Sequence, residues 1–240
     1  NTGASPTWSG ETTWNDPSGS ANNQNKNEVW FAVEAFSSIQ ANRVLLVACV
    51  PGAFSTVSYE AASAVPDWNG TSFSNTTKAS LQTVSSSIQV SALVDASDFA
   101  HTMRGATNTS INVASNKAAT AGDDDWAGSV TIKAGNTVEG CSLALDTGPA
   151  TDELYAFYHD AADTQDFHYK KTPVDTIVWG SEQTITFASD LIALTSWNRQ
   201  IESSLHIGIE DADTDVHYHE LSVGGGIQFG SASLSGTATL

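Results

Sequence analysis

The sequence predicts an all-β fold built from one unit of four short strands repeated along the chain, and three observations predict it. One passage is written twice: Leu154-Tyr-Ala-Phe-Tyr-His-Asp-Ala-Ala-Asp-Thr-Gln-Asp-Phe-His-Tyr169 returns as Leu205-His-Ile-Gly-Ile-Glu-Asp-Ala-Asp-Thr-Asp-Val-His-Tyr218, two residues shorter in its middle. Trp8, Trp68, Trp126 and Trp179 lie 60, 58 and 53 residues apart. Helical spacing of apolar residues is interrupted in most windows by Gly, Pro or clusters of Ser, Thr and Asn, while β-branched residues dominate the apolar runs. A period of about fifty residues with several strands per unit points to a β-propeller or another radial array.

Each unit resolves into four segments. The first is apolar, as suits an innermost strand buried on both faces: Val29–Glu34, Val90–Asp95, Cys141–Asp146 and Leu191–Thr195. The second follows a short connection: Val44–Cys49, Phe99–Met103, Leu154–Tyr158 and Leu205–Ile209. The third alternates apolar with polar, the mark of a half-buried strand: Val57–Tyr59, Ile111–Val113, Phe167–Tyr169 and Val216–Tyr218. The fourth opens on tryptophan at Trp8–Thr13, Trp68–Phe73, Trp126–Ile132 and Trp179–Ile185, and its fifth occurrence falls near Ile227–Ser231 with phenylalanine in place of tryptophan.

These segments predict a single domain over residues 1–240, with repeats at about 8–67, 68–125, 126–178 and 179–231 and a tail at 232–240. The expected object is a propeller of about four four-stranded blades, with five blades or an arc of a larger ring as alternatives. The surplus strand Trp8–Thr13 would close the ring beside Val216–Leu221 and hide its sheet edges.

The chain has 240 residues, 40% of them apolar and 15% charged, enough for a packed core. Its 9 basic and 27 acidic residues give a net charge of −18, which repels nucleic acid and anionic membrane surfaces and suits a salty or extracellular setting. No apolar run reaches the roughly 20 residues of a bilayer-spanning helix. The start at Asn1, with neither methionine nor signal-like segment, reads as a processed product or an excised piece. Cys49 and Cys141 sit in apolar runs, where buried free thiols are the default, although a bridge between them is compatible with the sequence.

The stretch from Phe167-His-Tyr169 through Thr172-Pro-Val-Asp-Thr-Ile-Val-Trp179-Gly-Ser-Glu182 resembles the third strand, turn and outer strand of a sialidase-type, or BNR-repeat, propeller blade. In that family an Asp-box turn, Ser-x-Asp-x-Gly-x-Thr-Trp, joins the last two strands. Here Asp175 lies one residue too close to Trp179, the glycine is missing, and the turn before Trp126 reads Ala-Gly-Asp-Asp-Asp. The resemblance implies a propeller of the kind found in secreted carbohydrate-binding proteins and in viral fibres or spikes. Its catalytic residues do not carry over: Arg43, Arg104 and Arg199 lack the family's Phe-Arg-Ile-Pro context, and no tyrosine nucleophile with a partner glutamate is assignable.

Glu34, Asp95 and Asp146 share one alignment position, the end of the innermost strand, with Thr195 completing the set. At one channel mouth they would be solvated, bind a cation, or serve glycoside hydrolysis as an acid and a base or nucleophile. The resembled enzymes work at the opposite mouth, which weighs against catalysis. Asp211, Asp213 and Asp215 imitate the start of a calcium loop, without its glycine at the sixth position and with Ser222 at the twelfth; no cofactor is expected beyond calcium or another cation there, and ordinary turn chemistry explains the same residues. His168, His217 and His219 read as exposed strand-face histidines in preference to metal ligands.

Trp14, Trp30, Tyr155, Tyr158 and Trp197 fall near strand ends or loops, where aromatic rings stack on sugars. The polar stretch Asn15–Asn27 reads as an exposed loop beside them. The leading expectation is a non-enzymatic module on an extracellular or virion surface. Its partners would be a glycan or cell-surface receptor, neighbouring virion subunits or both, with oligomerisation allowed. A small-propeller glycoside hydrolase and a purely structural virion decoration or assembly domain are the alternatives.

Overall fold

The computed structural model describes residues 30–35, 43–50, 53–61, 73–82, 89–95, 97, 99–104, 110–117, 130–134, 138–148, 151–199, 203–213, 215–222 and 230–234. They form sixteen strands, with no helix among the described residues. The first sheet comprises β1 (Trp30–Ala35), β2 (Arg43–Val50), β3 (Ala53–Ala61) and β4 (Phe73–Gln82). The second holds β5 (Val90–Val94), β6 (Phe99–Arg104), β7 (Ser110–Lys117) and β8 (Val130–Ala134). The third holds β9 (Val138–Asp146), β10 (Glu153–Asp160), β11 (Asp166–Pro173) and β12 (Gln183–Thr186). The fourth holds β13 (Leu191–Ser196), β14 (Ser204–Asp211), β15 (Val216–Ser222) and β16 (Gly230–Leu234).

Every sheet is an antiparallel meander of consecutive strands, so each strand pairs with its chain neighbour and loop closure costs little. The first strands lie in a row, β1 against β5, β5 against β9 and β9 against β13, while β13 makes no comparable contact with β1. The sheets therefore stack face to face, and two cores fill the gaps between the best-packed ones.

Strand β10 shows how one sequence feeds both cores. Its period of two sends Leu154, Ala156 and Tyr158 toward the second sheet, where they join Leu93, Met103, Ile132, Cys141, Leu143 and Leu145. Tyr155 and Phe157 point the other way, to Phe167, Tyr169, Leu191, Leu194, Leu205, Ile207, Ile209 and Leu221. Cys141 is buried in the first of these cores, its thiol donating to the Gln89 carbonyl at 3.1 Å.

Two expectations need correction. The outer edge of β15 is held by β16, from Val216↔Leu234 to Glu220↔Gly230, and not by Trp8–Thr13, which lies outside the described residues. A hairpin closed over a few residues costs far less entropy than one that spans the chain. The fourth strand of the third sheet also does not open on tryptophan: β12 starts four residues after Trp179, while Trp68 and Trp126 lie outside the described residues. At Trp179 the cause is visible. Thr172 Oγ1 accepts the Val178 N–H at 2.8 Å and donates to the Thr176 carbonyl at 3.0 Å, and the Gly180 N–H reaches the Lys171 carbonyl at 3.0 Å. The chain is held in a turn through Gly180, and half-buried Trp179 packs against the core between the second and third sheets instead of pairing in a ladder.

Candidate functional site

Between neighbouring sheets the first strands are joined mainly through side chains. Ser142 Oγ and Ser196 Oγ lie 2.7 Å apart, the Ser196 N–H donates to Ser142 Oγ at 3.1 Å, and Ser196 Oγ donates to the Leu143 carbonyl at 3.2 Å. On the other side the Leu143 N–H donates to Ser91 Oγ at 3.0 Å. Gln89 ties three strands together, accepting from the Cys141 N–H at 3.2 Å and donating to the Leu194 carbonyl at 2.8 Å. Small hydroxyls are what this spacing needs, because larger side chains would push the strands apart.

These strands wall a cavity of about 350 Å³ lined by residues 89–92, Cys141, Ser142 and residues 195–198. Its polar surface is amide and hydroxyl: Gln89, Ser91, Ser142, Thr195, Ser196 and Asn198. Trp197 stands at its rim, 63% exposed, among the most open large apolar side chains described. Its backbone N–H donates to the His206 carbonyl at 3.0 Å, which fixes its position just past the end of β13.

A hydrogen-bonded chain backs the indole. Its ring lies 6.0 Å from His206, which stacks on Tyr218 at 5.7 Å. The Tyr218 hydroxyl donates to Glu220 Oε1 at 3.0 Å and is hydrogen-bonded to His206 Nδ1. The phenol has one proton, so His206 Nδ1 is the donor in that pair. Burial and the Glu220 carboxylate hold the Tyr218 pKa above its ordinary value.

At the end of the same first strands the carboxylates gather. Asp95 is buried; its Oδ1 accepts the Ser97 and Phe99 N–H groups, each at 2.9 Å, and its Oδ2 lies 2.9 Å from His101 Nε2. Burial pushes this carboxyl up, but the His101 and backbone hydrogen bonds outweigh it and hold the pKa below the usual carboxylate value. Asp146 is buried too, accepts the Gly148 N–H at 2.9 Å, and is raised by burial and by the Glu153 charge against that bond. Asp152 is raised by burial and then by the charges of Asp95 and Asp146. Thr195 does not complete this set. Ser142 meets Ser196 and Leu145 bridges to Arg199, which places Thr195 level with Cys141, and the residue beside the carboxylates is Arg199, which donates to the Val94 carbonyl at 2.8 Å and whose charge favours ionised Asp152.

The remaining sequence candidates separate. Tyr155 and Tyr158 are core residues closed to a sugar ring: Tyr155 stacks against Phe157 and Tyr169, and Tyr158 donates to Glu182 beneath His168. Trp30 and Glu34 fall in β1, and Trp14 lies outside the described residues. Asp211 accepts the Asp213 and Asp215 N–H groups at 3.1 and 3.0 Å through Oδ1 and meets His217 Nε2 at 2.8 Å through Oδ2, which is turn chemistry. Asp213 bonds to the Ser189 hydroxyl. Among the described residues no group of three or more His, Cys, Asp or Glu is placed to hold a metal ion. His168 and His219 are buried, not exposed: His168 stacks on Tyr158 and His219 meets Phe187 edge-on at 5.2 Å. The clasps Asp95/His101 and Asp211/His217 share one sequence signal, an Asp six residues before a His.

No protein-family profile and no curated protein sequence matches the chain. Solved structures do. The fucose-specific lectin of Aleuria aurantia, described as a six-bladed β-propeller, superposes with a TM-score of 0.54 at 12% identity over 85% of this chain and 61% of the lectin. A mercury derivative of that lectin gives 0.55 at 13% identity over 86% and 62%. A GH62 hydrolase solved with xylotriose gives 0.52 at 8% identity over 88% and 70%. At these identities the likeness defines the fold: the chain is a β-propeller. It spans just over three-fifths of the lectin's length.

Proposed function

We propose that this protein is a non-enzymatic glycan-binding module, a propeller whose four sheets are four blades, with the Trp197 cavity as its sugar site. The observation that carries the reading is an exposed indole at the rim of a cavity of about 350 Å³ whose polar lining is hydroxyl and amide. A sugar offers an apolar face to the ring and hydroxyls to such groups. The lectin similarity supports the reading, since those structures are of a fucose-binding propeller. Hydrolysis by Glu34, Asp95 and Asp146 is disfavoured because Asp95 and Asp146 are buried and held by their own turns, whereas a glycosidase carboxylate must reach the scissile bond. Display outside the cell or on a virion surface belongs to the same proposal, supported by the charge of −18.

A glycan array followed by calorimetric titration of the hits tests this. The wild type should bind, turn over none of its ligands, and lose at least about tenfold in affinity on Trp197→Ala, the loss of one aromatic stacking partner. Unchanged affinity in that variant, or an array with no hits, would refute it.

A further inference from the structure

The sialidase resemblance points to acidic sugars, but the charges around the cavity point elsewhere. We propose that the site takes neutral glycans and rejects those ending in a carboxylate or sulfate; this rests on the glycan reading above. No cation lines the cavity among the described residues. Three lysines of the second and third sheets are engaged elsewhere: Lys133 by Glu182 at 2.8 Å, Lys170 by the Ile132 carbonyl at 2.7 Å, and Lys171 by Glu153 at 2.7 Å. Arg104 pairs with cavity-lining Val90 but is itself buried and does not line the cavity.

The cavity wall also runs directly into the carboxylates. Asn198 lines it, and the Asn198 carbonyl accepts the Leu145 N–H at 2.9 Å, so Asp146 and Arg199 lie one residue further along the two strands. Asp95, Asp146 and Asp152 are close enough for the first two to raise the pKa of the third. Against these three carboxylates, with Glu153 and Asp175 beside them, stand the Arg199 guanidinium, already donating to the Val94 carbonyl and acting on Asp152, and Lys171, acting on Asp146 from its pair with Glu153. The local charge is therefore negative, on a chain that is itself negative overall. An anionic sugar would exchange water for that field without a cationic partner, a cost its hydroxyl contacts do not offset. A neutral sugar meets no such barrier.

Matched oligosaccharide pairs, with and without a terminal sialic acid, titrated at low and high salt, test the proposal. The neutral member should bind at least about tenfold more tightly at low ionic strength, with the gap shrinking as salt screens the carboxylates. Asp152→Asn should narrow the gap about threefold by weakening binding of the acidic member less, while neutral binding stays unchanged. Equal or tighter binding of the sialylated member overturns the proposal, and so does discrimination that ignores both salt and Asp152→Asn, since exclusion would then be steric. If neither member binds and the array is also blank, the glycan reading itself fails.

Discussion

The third and fourth sheets carry the same repeat and treat its far face in opposite ways. In the third sheet that face is Tyr155 and Phe157 from β10 with Phe167 and Tyr169 from β11, all buried under the fourth sheet. At the register-matched positions the fourth sheet has His206, Gly208, Val216 and Tyr218. Phe167 is 1% exposed and Val216 is 50% exposed. Where a further sheet covers the face, the repeat keeps large aromatic rings. Where no described sheet does, it carries smaller and more polar side chains. Burial of a face, more than membership of the repeat, sets its chemistry, and this freed face is the one that backs Trp197.

The comparison is broken most directly by truncating equivalent positions. Phe167→Ala should cost about 3–5 kcal/mol, a large ring removed from a closed interface, while Val216→Ala should stay within about 0.5 kcal/mol. Denaturant midpoints of the two variants measure both, and equal losses would erase the distinction.

The next position along each face sharpens it by pH. His159 is fully buried, with neither ring nitrogen hydrogen-bonded, and burial lowers its pKa to about 4. Its counterpart Glu210 is exposed. Because the unfolded His159 takes up a proton near pH 6.5 and the folded one does not until about pH 4, stability falls as pH drops through that window, by about 3 kcal/mol in all. Stability measured from pH 7 to pH 4 should show this slope in the wild type and a flatter one in His159→Leu.

Crowding around His159 gives a smaller effect. A Cβ at Gly140 would lie 2.5 Å from His159 Nε2, so Gly140→Ala should cost about 1–3 kcal/mol. On the open face the matching experiment is Gly208→Ala, whose Cβ would sit 3.2 Å from the methyl of exposed Thr195. That side chain can give way, so the variant should gain about 0.5 kcal/mol by restricting the unfolded chain. The same denaturation series reads both.

Strand layout was legible where period and apolarity agreed. The segments predicted at Val90–Asp95, Leu154–Tyr158 and Leu205–Ile209 lie within or overlap β5, β10 and β14. Tryptophan misled because its apolar ring was read as the start of a strand, when at Trp179 it caps a core from a turn. Tyr155 and Tyr158 misled for a different reason: β10 is buried on both faces, so alternation could not separate surface rings from core ones. Trp197 was legible as an aromatic residue just past a first strand. The cavity beside it was not, since it depends on how three strands distant in sequence stack and on the hydroxyl pairs between them.

The central claim, that the exposed indole of Trp197 at the rim of the cavity binds sugar, is tested most directly by saturation-transfer NMR on wild type and Trp197→Ala, each with its denaturation midpoint. Transfer to a neutral glycan should be present in the wild type and lost in the variant, with midpoints within about 0.5 kcal/mol of each other, as expected for an exposed side chain. Transfer that persists in a folded Trp197→Ala variant would place the sugar elsewhere and contradict it.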